Sequence, residues 1–219
     1  MDTDKKVAVI LSGCGVYDGA EINEVVLTLL SLEENKIQYQ CFAPDIEQYH
    51  VVNHCTGNEV TERRNVLVES ARIVRGKIKP LSKYEASEFA AMIVPGGFGV
   101  AKNFSDFAFK GANVKVEKGF LAICEAFKNS KKPVGFMCIA PVLLSKIYGK
   151  GVVLTVGNDK DTIAAISTMG GEHKVSTVNE IVFDEKNKIV TTPAYMLATS
   201  IFEAKKGIDM LIKKIIEIM

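Results

Sequence analysis

The chain has 219 residues, 47% hydrophobic and 24% charged, which is ordinary for a soluble globular protein with ample length for one core. The 27 Lys and Arg nearly balance 26 Asp and Glu, so electrostatics predict neither nucleic acid nor an acidic membrane surface as a partner. Its apolar runs fall short of the roughly 20 residues that span a bilayer, and the first residues lack a signal-peptide pattern. Five cysteines without CxxC spacing favour free thiols in a reducing cytoplasm.

The first part of the chain alternates strand-like and helix-like segments. Val7 to Ser12 is a β-branched apolar run that ends in a glycine-rich loop, and Ile37 to Pro44 reads as a second strand. The helix predicted between them has apolar residues at helical spacing, namely Ile22, Val25, Val26, Leu29 and Leu30. The apolar runs AAMIVPGG and PVGFMC are also followed by helical segments. Fully apolar strands that alternate with helices predict an α/β fold with a mostly parallel sheet covered on both faces.

The end of the chain follows a different pattern. Two short apolar runs within Glu180 to Pro193 flank a polar turn and predict a late β-hairpin. The last segment is predicted to be a long amphipathic helix, apolar at Ile201, Ile208, Leu211, Ile212 and Ile215. The stretch from Asp45 to Lys83 is the least regular, and we interpret it as an insertion that carries one helix, RRNVLVESARIVRG. Since no linker divides the chain, we expect one domain over residues 1–219.

The stretch KPVGFMCIAPVLL places a cysteine between a strand-like and a helix-like segment. If VGFM is a central strand, Cys138 lies just past its carboxyl end, where open α/β sheets bind ligands. Ala140 permits a tight turn, and Pro141 suits the first turn of the next helix. This arrangement is typical of a nucleophile elbow. A helix N-terminus beneath the sulfur would favour the thiolate and predicts a lowered pKa for Cys138.

Two further stretches supply candidate partners for this thiol. VPGGFG follows another apolar strand, and its glycines Gly96 and Gly97 would let the backbone approach a ligand closely. The N–H groups of Gly97 and Ile139 would form an oxyanion hole. In the loop after the first strand, Glu21 and Glu24 lie one helical turn apart on one face. An acid there could hydrogen-bond the sulfur and act as a general acid or base, whereas Glu21 could also be a solvated first-turn acid stabilised by the helix dipole.

Each cysteine has an alternative interpretation. Cys138 could be a small buried hydrophobic residue, as free cysteines often are, but its position after a strand favours the reactive thiol. Cys41 and Cys124 lie in apolar segments and are predicted to belong to the core. Cys14, in a glycine-flanked loop at the same sheet edge, is a candidate for lining the pocket. Cys55 is predicted to be a loop thiol.

Other polar clusters give weaker signals. TERRN is interpreted as a solvated helix start capped by Thr61, with Arg64 or Asn65 near the pocket as the alternative. His50 and His54 lie beside a cysteine, but their spacing is not a standard zinc pattern. GCGVYDG lacks the GxGxxG spacing of a dinucleotide site. We therefore expect no metal and no cofactor.

Six blocks in order resemble the ElbB glyoxalase group of the PfpI superfamily, whose fold is similar to the class I glutamine amidotransferase domain. They are ILSGCGVYDGAEI, FAPD, TERRNVLVESARI, IVPGGFGVAKN, GFMCIAP and NKIVTTPAYM, and they cover nearly the whole chain. The resemblance implies a three-layer flavodoxin-like domain. It also implies a homodimer and raises a link to isoprenoid synthesis.

The resemblance assigns roles residue by residue. It makes Cys138 the nucleophile, Gly97 and Ile139 the oxyanion donors, and Glu24 the acid that faces the sulfur, because GAE fixes the register of that helix. Amidotransferases carry a histidine near TTPAY, where this chain has Tyr195 as a pocket candidate. Protease-like members place a histidine directly after the cysteine, where this chain has isoleucine. These departures argue against glutaminase or peptidase activity, since amide cleavage by cysteine usually needs a positioned base.

Two functions remain open. The resemblance implies a glutathione-independent glyoxalase, a lyase that converts glyoxal-type dicarbonyls to hydroxy acids through Cys138 and Glu24. The alternative is a non-catalytic redox sensor or partner-binding domain in which Cys138 is oxidised to sulfenic or sulfinic acid. A small dicarbonyl is the partner expected for the enzyme.

Overall fold

The computed structural model describes residues 6–219, in which β-strands alternate with α-helices along the chain. The strands are β1 (Lys6–Ile10), β2 (Gln38–Ala43), β3 (Val52–Asn53), β4 (Asn58–Glu59), β5 (Ile78–Pro80), β6 (Ala91–Val94), β7 (Val134–Met137), β8 (Val153–Leu154), β9 (Glu172–His173), β10 (Val182–Asp184) and β11 (Ile189–Thr192). The helices are α1 (Ile22–Glu34), α2 (Val66–Ile73), α3 (Phe98–Lys102), α4 (Phe107–Lys110), α5 (Lys118–Asn129), α6 (Leu144–Tyr148), α7 (Lys160–Thr168) and α8 (Ile201–Ile218). Among these helices, none combines the length and apolar character that a membrane span requires.

Seven strands form one sheet in the order β10-β11-β7-β6-β1-β2-β5. All neighbours pair in parallel except β10 and β11, which form an antiparallel hairpin. The carboxyl ends of β1, β6 and β7 therefore meet at one edge of the sheet. The predicted α/β class, with its mostly parallel sheet and late hairpin, is confirmed.

Alternating side chains of the central strands build one core on each face of the sheet. Ile10 and Phe136 face the layer that contains α5, where Cys124 is buried. Val9 and Met137 face the layer that contains α1 and α8. Cys41 is also buried, so the prediction that Cys41 and Cys124 are core residues is confirmed.

The apolar face predicted for α1 is partly wrong. Ile22, Val26 and Leu30 are exposed, whereas the side turned to the sheet carries Val25 and Glu24. The buried face mixes apolar and polar side chains because α1 delivers an acid to the interior. Its hydrophobic spacing alone therefore points to the wrong side. In the same way, Ile201 at the start of α8 is exposed, although the four other apolar residues predicted for that helix are buried.

The stretch from Asp45 to Lys83 contains more structure than predicted. The β3–β4 hairpin precedes α2, and β5 extends the main sheet in parallel with β2. Helix α2 begins after Asn65, not Thr61, because the Asn65 side chain accepts the Val68 N–H at 3.0 Å. The chain before that cap is held extended by backbone bonds such as Gln48 N–H to Arg64 O at 2.7 Å.

Candidate functional site

Cys138 occupies a sharp turn directly after β7, as the elbow interpretation predicts. Its φ of +61° lies in the left-handed region, and its N–H donates to Thr192 O in β11 at 3.1 Å. The segment that follows, Ala140–Leu143, is a 3₁₀ turn with Pro141 in its first two positions, and α6 begins only at Leu144. The sulfur therefore lies above a short, tight turn and not above a long helix dipole.

Glu24 is fully buried beside this thiol and hydrogen-bonds it. Its two carboxyl oxygens also accept main-chain N–H groups, from Gly96 at 2.7 Å and from Tyr195 at 3.2 Å. Helix α1 places it there because Glu21 caps the helix by accepting the Glu24 N–H at 2.7 Å. Desolvation is the largest effect on this carboxyl, followed by the negative charge of Glu21, and together they raise the pKa of Glu24 to about 7. At neutral pH it can therefore give or take a proton.

The Gly96–Gly97 turn brings backbone against the thiol at a distance that only glycine permits. A Cβ on Gly96 would lie 2.8 Å from Glu24 Oε2 and 2.9 Å from Cys138 Sγ. Gly97 has a φ of +94°, and its N–H and that of Ile139 hydrogen-bond the sulfur. These are the two donors predicted for an oxyanion hole, and the structure brings them together.

The predicted lowering of the Cys138 pKa is wrong. Only 7% of this residue is exposed, and burial is the largest effect that raises the pKa of its thiol well above the ordinary value. The carboxylate of Glu24 raises it further, while the N–H groups of Gly97 and Ile139 offset part of the increase. The resting side chain is therefore a thiol, and a base must remove its proton before the sulfur attacks.

Tyr195 and Cys14, two other predicted pocket residues, have different surroundings. Tyr195 is half-buried next to Glu24, and its hydroxyl accepts a hydrogen bond from Asn23 Nδ2 at 3.3 Å. Cys14 is half-buried, and burial and nearby Glu69 raise the pKa of its thiol. Its other charged neighbours are Arg72 in α2, Arg64 just before that helix and Asp18 in the same loop.

The pocket role of Asn65 is not supported by the structure. Besides capping α2, this side chain donates to Asp45 Oδ1 at 2.8 Å, so both ends of its amide help to fix the segment before the helix. A capping side chain cannot turn toward a substrate without releasing the helix end. Glu21, which ends the loop after β1 and caps α1, lies closer to the site and is half-buried. Its N–H donates to Gly96 O at 3.0 Å.

Two residues around the acid were missed by sequence reasoning. Ala194 has a φ of +43°, and this unusual turn aims the next N–H, that of Tyr195, at Glu24. Asn23 tethers the Tyr195 ring from the helix that carries Glu24. Asn23 could have been found from its position directly before Glu24. The sequence Pro-Ala-Tyr does not predict that Ala194 adopts a left-handed conformation.

None of the three histidines is among the groups that act on Cys138 or Glu24. His54 Nε2 accepts the Tyr17 N–H at 3.2 Å, His173 Nε2 accepts the Val156 N–H at 3.1 Å, and His50 packs on an aromatic ring. Across residues 6–219, no three side chains of His, Cys, Asp or Glu gather as a metal site. The acid–base chemistry next to Cys138 thus rests with Glu24.

Burial of Glu24 also predicts the pH dependence of folding. Its pKa is about 7 when folded against an ordinary 4.5, so between these values the folded chain binds more protons than the unfolded chain. The stabilisation is complete below the unfolded pKa and is lost as pH rises through about 7. Urea unfolding should show that this carboxyl removes about 2.5 kcal/mol of stability between about pH 5 and about pH 8.

Glu24→Gln is the control for that measurement. The amide does not titrate, so the free energy of unfolding of this variant should lack the decline between about pH 5 and about pH 8. The pH dependence that arises from the other titrating groups should remain. If the wild-type and variant proteins show the same pH dependence, the raised pKa of Glu24 is contradicted.

Comparison with known proteins places this site in a family. No protein-family model matches the chain. The ES1 protein homolog of Rattus norvegicus is 44% identical over 223 residues, covering 97% of this chain and 84% of the relative. The human glutamine amidotransferase-like class 1 domain-containing protein 3 is also 44% identical and covers 97% and 83%. A solved isoprenoid biosynthesis protein with an amidotransferase-like domain from Ehrlichia chaffeensis superposes with a TM-score of 0.91 at 37% identity, covering 97% and 98%.

These relatives correct one prediction and settle another. Both curated relatives are named mitochondrial proteins, which contradicts the predicted cytoplasmic location. The amidotransferase-like part of the resemblance is confirmed, because identity of this level extends over almost the entire chain. The chain therefore belongs to the family of ES1 and glutamine amidotransferase-like class 1 domain proteins.

Proposed function

We propose that this protein is a glutathione-independent glyoxalase of the ElbB type, which converts glyoxal-type dicarbonyls to hydroxy acids. The observation that carries the proposal is the buried hydrogen bond between the Cys138 thiol and the Glu24 carboxyl. Such a pair joins a nucleophile to a group that can accept and return protons near neutral pH. Only a small part of Cys138 is exposed, which suits a small substrate.

The proposed reaction is an internal redox rearrangement followed by hydrolysis. Glu24 takes the thiol proton as Cys138 Sγ bonds to one carbonyl carbon, and the proton passes to the carbonyl oxygen to give a hemithioacetal. The N–H groups of Gly97 and Ile139 are placed to stabilise the oxyanion while it forms. Glu24 then removes the hydrogen on that carbon as a proton and returns it to the second carbon. The hydroxyl proton of the first carbon passes to the oxygen of the second, so the first carbon is oxidised to a thioester and the second is reduced to an alcohol.

Water completes the cycle by cleaving the thioester. It adds to the thioester carbon, the C–S bond breaks, and the sulfur regains a proton, so that glyoxal plus water gives glycolic acid. No external oxidant or reductant is needed. An aldehyde is more electrophilic than an amide, so this chemistry can proceed without the positioned histidine that amide cleavage usually requires.

The test is glycolate formation by the purified protein, followed by NMR during incubation with glyoxal. We expect many equivalents of glycolate per chain, and acid-quenched samples should carry one glyoxal unit on the Cys138 peptide. Cys55→Ser is the control for thiols in general, and it should form glycolate as the wild type does, because Cys55 is an exposed loop thiol. Stoichiometric modification without glycolate would refute the enzyme. Peroxide conversion of Cys138 to a stable sulfinate in such a protein would support the redox sensor instead.

A further inference from the structure

Exposed aromatic side chains are concentrated on one part of the surface. Five Phe and Tyr residues of the described chain are between 42% and 68% exposed. Tyr17 lies in the loop after β1 and Phe98 directly after Gly97, whereas Tyr49 and Phe109 pack on each other with ring centroids 4.4 Å apart. The fifth, Phe202, lies on α8. Aromatic rings gain free energy by burial, so exposed rings gathered next to a reactive site indicate a binding surface.

Tyr17 and Phe98 are held together by the backbone. The Phe98 N–H donates to Val16 O at 2.8 Å, and Lys102 Nζ donates to Tyr17 O at 2.9 Å. The same ammonium lies 5.5 Å from the centroid of the Phe98 ring, and His54 lies 4.9 Å from the Tyr17 ring. We name Tyr17, His54, Phe98 and Lys102 the aromatic rim.

The aromatic rim adjoins the oxyanion donors directly. Phe98 follows Gly97, whose N–H hydrogen-bonds the Cys138 sulfur. The loop that carries Tyr17 packs on the same turn, since the Gly99 N–H donates to Gly19 O at 2.8 Å. A carbonyl bound at Cys138 would therefore present its substituent within reach of these rings.

From this placement we propose that the aromatic rim selects dicarbonyl substrates that carry a flat aromatic or unsaturated substituent, with arylglyoxals as the substrate class. The inference rests on the proposed glyoxalase function. In this proposal the aldehyde end reaches the nearly buried Cys138, while the exposed rings of Phe98 and Tyr17 contact the substituent. Stacked or edge-on ring pairs provide that contact.

The test compares kcat/KM for phenylglyoxal and for glyoxal in the wild type, Phe98→Ala and Tyr17→Ala. We expect the ratio of phenylglyoxal to glyoxal to fall about threefold to tenfold in each variant, the size of one aromatic contact. Phe202→Ala is the matched control, because Phe202 also carries a lysine over its ring, with Lys206 Nζ 4.6 Å from the centroid, but lies on α8. Its ratio should remain that of the wild type.

Binding without turnover separates this inference from the proposed function. Ligand-observed NMR with phenylglyoxylate and glyoxylate should show tighter binding of the aromatic acid, lost in Phe98→Ala and kept in Phe202→Ala. If no dicarbonyl is turned over but this binding pattern appears, the glyoxalase proposal fails and the aromatic rim stands. If glyoxal is turned over but neither ratio nor binding responds to Phe98→Ala and Tyr17→Ala, the aromatic rim is refuted and the glyoxalase stands.

Discussion

Glu24→Gln should lower glyoxal turnover at least about 100-fold, the lower end of what general acid–base groups contribute. The amide can neither take the thiol proton nor carry the hydrogen from one carbon to the next. It also has a single acceptor oxygen, whereas the carboxyl accepts both the Gly96 and Tyr195 N–H groups. One of those buried N–H groups would lose its partner, at a cost of about 1–3 kcal/mol of stability. Steady-state kinetics and urea unfolding measure the two effects separately.

Glu21→Gln is the control for this variant. Its side chain needs only one acceptor oxygen to cap α1 through the Glu24 N–H, and the amide retains that oxygen. Turnover should fall much less than in Glu24→Gln, because Glu21 acts on the acid only through its charge and through the helix cap. Near wild-type turnover in Glu24→Gln would show that another group moves the proton, and an equal loss in both variants would show that the effect is on the helix and not on the acid.

Gly96→Ala should disable the site through contact alone. Gly96 does not have a left-handed φ, so alanine meets no backbone penalty there. Its methyl group would instead overlap Cys138 and lie 2.8 Å from Glu24 Oε2, so the thiol and the acid must move apart. Displacements of about 1 Å can cost about 100-fold in rate, and overpacking costs about 1–3 kcal/mol. Glyoxal kinetics and thermal unfolding test both expectations.

Gly119→Ala provides the matched control for a methyl group on glycine. Gly119 lies in the first turn of α5, where a Cβ would meet only the flexible side chain of Glu117, no closer than 3.2 Å. Alanine favours the helix by up to about 1 kcal/mol, so stability should hold or rise and turnover should stay that of the wild type. If Gly96→Ala behaves like this control, the close packing around Cys138 is contradicted.

The fold was largely predictable because it depends on long apolar segments. The parallel strands β1, β6 and β7 lie in apolar runs that are followed by residues at helical spacing. Polar residues between two short apolar runs mark the turn of the hairpin. Short elements escaped prediction. The two-residue strands β8 and β9 give no periodic pattern, and α7 buries only Thr162 and Ile166, too few to mark an apolar face.

The placement of the candidate residues could be predicted from the sequence, and their electrostatics could not. A cysteine after a strand, a double glycine after another and acids at a helix start are local patterns that singled out Cys138, Gly97 and the pair Glu21 and Glu24, of which the family resemblance selected Glu24. The pKa of Cys138 depends on how deeply the sulfur is buried and on an acid from a distant segment, which local patterns do not report. Asn65 caps α2 because the segment before it is extended. The polar sequence TERRN is equally compatible with the first turn of a helix.

The left-handed residues Cys138 and Ala194 stand at the ends of the neighbouring strands β7 and β11. Outside glycine this conformation costs about 1–2 kcal/mol per residue, so the rest of the fold supplies the stability that holds both turns. The two N–H groups that face the sulfur, those of Gly97 and Ile139, belong to the backbone, so they remain when the side chain at position 138 is exchanged. The scaffold is thus separable from its reagent: a serine installed at position 138 would meet the same two peptide donors.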